Sequence, residues 1–147
     1  MIAALFAAVA VAAAPQPQGA APMDPAAVKA IEAVAYDYVD GQLEGDPARV
    51  ARSLHPDLAK RAVEVDPDEA LGLRRMSKEE LVDLTRQGVL KTPKAEWSRS
   101  VRVLDIAGNA AVARVETPWF IDYFHLGRFG QRWVIVNALW YPKPKGS

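Results

Sequence analysis

The sequence contains no cysteine, and this absence excludes disulfide bonds, iron–sulfur clusters, thiolate zinc sites and cysteine nucleophiles. Histidine is scarce as well. His55 and His125 are the only two, and neither has a carboxylate at helical metal-ligand spacing. The glycines stand singly, so no glycine-rich phosphate loop and no Gly-x-Ser-x-Gly elbow occurs. We therefore expect neither a metal site nor a bound cofactor.

The chain also lacks an excess of either charge, with 18 Lys+Arg residues and 18 Asp+Glu residues. Nucleic-acid binding would call for a clustered basic surplus, and attachment to anionic membranes would call for a polybasic segment. Neither is present. With 147 residues, of which 50% are hydrophobic, the chain has enough material for a single domain with a buried core.

The N-terminus has the character of a targeting segment. An uncharged apolar run, Ile2 to Ala14, is shorter than the roughly 20 residues that cross a bilayer, and small-residue cleavage patterns follow it. A linker rich in Pro, Gln, Gly and Ala comes next. We predict a cleaved signal peptide and linker over residues 1–22, a domain over residues 23–147, and a periplasmic or secreted location. An uncleaved anchor and a wrongly assigned start are the alternatives.

Capping signals predict three helices. Asp24-Pro25 opens the first helix, whose apolar residues recur at helical spacing until Gly45. Asp46-Pro47 opens a short second helix, which we expect Pro56 to end. A capping box that begins at Ser77 opens the third helix, which ends near Gly88. Residues 58–76 fit a strand, a turn and a second strand, but a helix over Pro67–Leu71 fits nearly as well.

The second half of the chain reads as an antiparallel meander. Four segments rich in β-branched and aromatic residues are separated by turn signals, namely Trp97–Ile106, Ala110–Thr117, Trp119–Leu126 and Arg132–Tyr141. Helices followed by a meander indicate an α+β fold, with helices packed on one face of a curved sheet.

The last two strands are apolar on both faces, although an antiparallel strand with one wet face alternates apolar and polar residues. The helices can cover only one face. Apolar patches of this size usually mark interfaces, so we predict a homodimer packed sheet to sheet. Its interface residues would be Trp119, Tyr123, Val136 and Trp140, with Trp133 in the core.

These features together resemble the NTF2-like superfamily, and within it the putative lumazine-binding branch, near the SnoaL-like proteins. The resemblance covers about residues 26–142. It is carried by Gly45–Pro56 (GDPARVARSLHP), Phe120–Leu126 (FIDYFHL) and Trp133–Trp140 (WVIVNALW). It implies a cone, a strongly bent sheet wrapped around helices and open at one end, often dimeric through its outer face. The superfamily includes enzymes, transport adaptors and assembly domains, so the fold does not decide the function.

Four polar residues match recurrent positions of the resembling family and are expected to point inward: Tyr38, His55, Asp122 and Asn137. We predict that they line a ligand site in the cone together with Phe124. A carboxylate among aromatic side chains favours its neutral form and can shuttle a proton, with Tyr38 or His55 donating to a ligand oxygen. The alternative is structural: Asp122 and Asn137 satisfy backbone donors, His55 caps a helix end and Tyr38 belongs to the core.

Three functions remain open at this point. The leading hypothesis is an exported protein that binds a small, largely apolar ligand without transforming it. An isomerase, cyclase or dehydratase that uses Asp122 as general base, assisted by His55 or Tyr38, is the second. The third is a module whose cone is filled by its own side chains and which serves only dimerisation or partner docking.

Overall fold

The computed structural model describes residues 22–63 and 71–144, and the predicted signal segment lies outside this part. The elements of these ranges are α1 (Pro25–Glu44), α2 (Pro47–Ser53), β1 (Leu54–Val63), β2 (Leu73–Met76), α3 (Lys78–Arg86), a 3-10 turn (Lys94–Glu96), β3 (Ser100–Ala107), β4 (Ala110–Glu116), β5 (Phe120–Phe129) and β6 (Arg132–Pro142). The predicted α+β order is confirmed. None of the helices in the described ranges is long and apolar enough to span a membrane.

The helix boundaries follow the capping signals. The side chain of Asp24 accepts a hydrogen bond from the Ala26 N–H, and Gly45 ends α1 in the left-handed conformation with φ of +73°. Ser77 and Glu80 form the capping box of α3. One boundary differs from the prediction. α2 ends at Ser53, and Pro56 lies within β1 rather than at a helix end.

The six strands form one sheet in the order β2-β1-β6-β5-β4-β3. The pairs are antiparallel except that β1 runs parallel to β6. For residues 58–76, the two strands of the strand, turn and strand alternative agree with the paired strands β1 and β2, and its turn lies outside the described ranges. The rival helix falls mostly on residues 67–70, outside the described ranges.

The helices pack against one face of the sheet, which we call the inner face. On β5 the residues that point to this face are Phe120, Asp122, Phe124 and Leu126, all of them buried. The alternation predicted for β5 is therefore confirmed. Ile31, Val39 and Leu43 of α1 complete the core from the helical side.

A β-bulge in β6 overturns part of the predicted pattern. Asn137 pairs with His125 and Ile135 pairs with Leu126, so Val136 is the extra residue between them. An extra residue reverses the direction of every side chain that follows it. Asn137 is consequently exposed on the outer face, while Trp140, predicted at the outer interface, is only 8% exposed and points inward. Trp133 lies in the core, as predicted.

Candidate functional site

A cavity of about 170 Å³ lies at one end of the inner face, between the sheet, α1 and α3. Its wall is mostly apolar. The apolar lining residues are Met76, Leu81, Leu84, Val89, Leu90, Phe120 and Trp140. The polar ones are Tyr38, Gln42, Lys60, Arg74 and Thr85. A mostly apolar cavity with a few convergent polar groups is the usual form of a ligand site.

Three buried side chains from separate elements meet at the cavity wall, and we call them the Tyr38–Lys60–Asp122 cluster. The Tyr38 hydroxyl donates to Asp122 Oδ2 at 2.7 Å. Lys60 Nζ donates to Asp122 Oδ1 at 2.5 Å and to the Tyr38 hydroxyl oxygen at 2.9 Å. Each member therefore bonds to the other two.

Burial and charge act on this cluster in opposite directions. Burial lowers the pKa of Lys60 below its ordinary value, and the neighbouring Asp122 carboxylate counteracts part of that effect. Burial, followed by the charge of Asp122, raises the pKa of Tyr38 well above its ordinary value. Tyr38 is therefore a neutral hydrogen-bond donor at neutral pH. Lys60 Nζ also lies 4.7 Å from the centre of the Trp140 ring, a favourable position for a cation.

Strand alternation and helix periodicity bring the cluster together. Lys60 shares the inner face of β1 with Leu58 and Ala62, both buried. Asp122 occupies the inner row of β5, and Tyr38 lies on the apolar side of α1. Lys60 is not among the site residues predicted from the sequence. The signal for it was the apolar pair Leu58 and Ala62, which places the residue between them on the same face.

Of the predicted site residues, Tyr38, Asp122 and Phe124 lie together. Asp122 is fully buried behind Lys60 and Tyr38 and does not line the cavity. Phe124 is also fully buried; its ring packs edge-on against that of Tyr38, with centroids 4.9 Å apart. Tyr38 is thus the one predicted site residue that lines the cavity.

His55 and Asn137 do not join the cluster. His55 is the second residue of β1, five positions before Lys60. Its Nδ1 accepts a hydrogen bond from the Asp57 N–H, and its ring stacks on Phe129. Asn137 faces outward because of the bulge. Neither side chain caps a helix or meets Asp122, so the convergence predicted for them is wrong.

The cluster satisfies its own hydrogen-bonding groups. Both oxygens of Asp122 have side-chain donors, so the carboxylate is held by Tyr38 and Lys60 and not, as the structural alternative supposed, by backbone amides. Within residues 22–63 and 71–144, no buried side-chain nitrogen or oxygen lacks a partner. The Tyr38–Lys60–Asp122 cluster therefore needs no ligand group to complete its hydrogen bonds.

The other recesses and buried polar groups are weaker candidates for a functional site. A larger groove of about 560 Å³ runs between α1 and the β5–β6 turn, but most of its lining residues are exposed, and its Asp37 is already paired with Arg52. A second buried carboxylate, Asp40, is bound by Arg99 on the far side of α1. In the part of the chain that the structure describes, no group of acidic and histidine residues could hold a metal ion.

Comparison with known proteins places this fold. A family model described as "Putative lumazine-binding" matches residues 26–141. An NTF2-like protein of unknown function from Shewanella baltica OS155 has a TM-score of 0.68 at 24% identity, over 80% of this chain and 94% of that one. A ketosteroid isomerase-like protein from Erwinia carotovora atroseptica SCRI1043 has a TM-score of 0.59 at 15% identity, over 82% and 100% of the two chains.

A structure named "Putative Scytalone Dehydratase", from Novosphingobium aromaticivorans DSM 12444, has a TM-score of 0.52 at 12% identity, over 79% and 83% of the chains. No curated protein matches this chain. At these identities the structural likenesses establish the NTF2-like cone, a curved sheet around three helices, and they assign no chemistry.

Proposed function

We propose, because this chain belongs to the "Putative lumazine-binding" family, that it binds a small, largely apolar molecule in the cavity without transforming it. The observation that carries this proposal is the apolar cavity beside a polar cluster that is already satisfied. Its volume of about 170 Å³ resembles the roughly 150 Å³ of a cavity that holds benzene and falls below the roughly 300 Å³ of a drug-sized pocket. The ligand is therefore about the size of one ring.

Binding is favoured over catalysis by the state of Asp122. A general base must come within hydrogen-bond reach of the proton it removes. The Asp122 carboxylate is fully buried, does not line the cavity and is occupied by Tyr38 and Lys60. A ligand in the cavity meets those two side chains first.

An enzyme of the isomerase, cyclase or dehydratase type is the second candidate. Tyr38 favours it, because its neutral hydroxyl lines the cavity and could donate to a developing oxyanion if it turned away from Asp122. In that case, Lys60 would have to move aside before Asp122 could accept a proton. Asp122→Asn would then abolish turnover while ligand affinity persisted, whereas a pure binder shows no turnover in either form.

Ligand binding can be tested by filling the cavity. Leu84 lines it and is half-buried on α3, while Arg86 lies two positions further along on the exposed side of the same helix. Saturation-transfer NMR with benzene should give a signal in the wild type and in Arg86→Trp, and none in Leu84→Trp. Native mass spectrometry of protein from its own host would then identify a retained molecule. A wild type that binds no ring-sized compound would support the third function, a docking or dimerisation module.

We also propose that the protein is exported to the periplasm or secreted. The support is the uncharged apolar run Ile2–Ala14 with small residues after it. The intact mass of the protein isolated from its host tests this. A cleaved chain should begin between about residue 15 and residue 22, and a chain that retains Ile2 would contradict cleavage.

The outer face of the sheet remains our proposed homodimer surface, with one revision. Tyr123 and Leu139 pair across β5 and β6 and are 45% and 51% exposed, so they belong to it together with Trp119 and Val136. Trp140 no longer does. We expect Leu139→Asp to give monomers in sedimentation velocity. Leu104→Asp, at an exposed leucine on the edge strand β3, is the control and should leave the dimer intact. If Leu139→Asp sediments like the wild type, the proposed interface is wrong.

A further inference from the structure

The charged residues that line the cavity are of one sign. Among the residues that the structure describes, two cations, Lys60 and Arg74, line the cavity, and no aspartate or glutamate does. The charge of Lys60 is balanced by Asp122 directly behind it. Arg74, by contrast, lies within 4 Å of no carboxylate in the described ranges. Among the described residues, therefore, no side chain forms an ion pair with this positive charge at the cavity wall.

The register of β2 directs this charge toward the cavity. Arg74 pairs with Ala62 on the inner row of β1, next to the pair formed by Lys60 and Met76. Its guanidinium lies 5.6 Å from the centre of the Trp140 ring. Because Arg74 is exposed whereas Lys60 and Trp140 are buried, the guanidinium lies at the mouth of the cavity and the apolar wall extends inward from it.

The next residue supplies a contrast. Arg75 pairs with Arg61 and so projects to the opposite face of the two-stranded ribbon, where its guanidinium donates to the Leu73 carbonyl oxygen. Arg75 does not line the cavity. Two arginines adjacent in sequence thus face different surroundings, and only one can reach a ligand.

We propose, building on the ligand-binding function above, that the ligand is an anion, a ring-sized apolar body carrying a single carboxylate. The ring occupies the apolar part of the cavity, beside Phe120 and Leu81, and the carboxylate lies at the mouth against Arg74. A planar guanidinium donates two parallel hydrogen bonds to a carboxylate, which makes it the side chain best suited to that group. Lys60 contributes little to this selectivity because Asp122 already neutralises it.

Benzoate and benzamide provide the test, since they have nearly the same shape and differ in charge. Titration calorimetry at pH 7 and low salt should show benzoate binding to the wild type roughly tenfold more tightly than benzamide. Arg74→Gln should abolish that preference and leave benzamide affinity unchanged. Arg75→Gln, the matched control, should keep it. Raising the salt from about 20 to 300 mM should weaken the binding of benzoate and leave the binding of benzamide unchanged, because the charge at the exposed mouth is screened.

The outcomes separate this inference from the proposed function. Equal binding of benzoate and benzamide to the wild type, or a preference that survives in Arg74→Gln, would overturn the carboxylate assignment and leave ligand binding standing. If benzoate, benzamide and benzene all fail to bind at millimolar concentration, ligand binding itself fails and the assignment fails with it. Because Arg74 is exposed, Arg74→Gln should unfold at the same temperature as the wild type. An unchanged unfolding temperature would show that a loss of affinity does not come from a loss of folding.

Discussion

Replacing Lys60 with methionine tests the cluster most directly. Methionine keeps most of the apolar stem and removes the ammonium, so Asp122 remains in the interior with one donor, Tyr38, and no cation. The side chains of Lys60 and Asp122 are 6% and 0% exposed, and breaking a buried ion pair from one side costs about 3–5 kcal/mol. We expect a loss of this size in the free energy of unfolding at pH 7, measured by urea denaturation.

The double variant Lys60→Met/Asp122→Asn separates lost charge pairing from lost packing. An uncharged amide in place of the unpaired carboxylate should restore about 2 kcal/mol or more relative to Lys60→Met alone. Lys91→Met, at an exposed lysine, is the control and should change stability by less than about 0.5 kcal/mol. A cost below about 1 kcal/mol for Lys60→Met, or no recovery in the double variant, would refute the buried pair.

Two further predictions concern Tyr38 and the packing of α1. Because the pKa of Tyr38 is raised in the folded protein, the folded state keeps the phenolic proton after the unfolded chain has lost it, and stability should fall above pH about 10. Urea denaturation should therefore show that the cost of Tyr38→Phe, about 1–2 kcal/mol at pH 7, shrinks as the pH rises past that value; a constant cost would contradict it. A Cβ on Gly41 would lie 2.8 Å from Val50 Cγ2 and 3.1 Å from the Val50 backbone nitrogen, so Gly41→Ala should lower stability by about 1–3 kcal/mol. Thermal unfolding is the measurement. If α1 and α2 did not approach so closely, helix propensity alone would make Gly41→Ala more stable by up to about 1 kcal/mol, and such a gain would contradict the prediction.

Much of the fold could be predicted because its signals are local. Asp24, Asp46 and Ser77 each accept hydrogen bonds from the first backbone N–H groups of their own helix, within three residues along the chain. The inner row of β5 from Phe120 to Leu126 follows from alternation alone. Such features depend on neighbours in sequence, and inspection of the sequence recovers them.

The site was harder to predict because its members are distant in sequence. Lys60 and Asp122 are 62 positions apart, and Tyr38 and Asp122 are 84 positions apart. Asp122 and Tyr38 were identified individually as inward polar groups. Lys60 reaches them because β1 pairs in parallel with β6, and no local pattern in the sequence indicates that pairing.

The bulge at Val136 had the largest consequence for the site prediction. It exchanged the faces of Asn137 and Trp140, so a predicted ligand residue became a surface residue and a predicted interface residue became part of the cavity wall. Nothing in the β6 sequence distinguishes Val136 as the inserted residue. The pairing of both flanking segments with β5 decides it, and those contacts exist only in the assembled sheet.

The sequence by itself determined the α+β order, the starts of the three helices, the inward row of β5 and the absence of cysteine chemistry, since each depends on local periodicity or on which side chains exist at all. Tertiary structure alone decided that Lys60 would neutralise Asp122, that Trp140 would turn inward and that Arg74 would stand at the mouth of the cavity without a counterion in the described residues. The physical reason is that strand pairing sets both the facing direction and the partners of a side chain, and it joins residues that the chain itself keeps far apart.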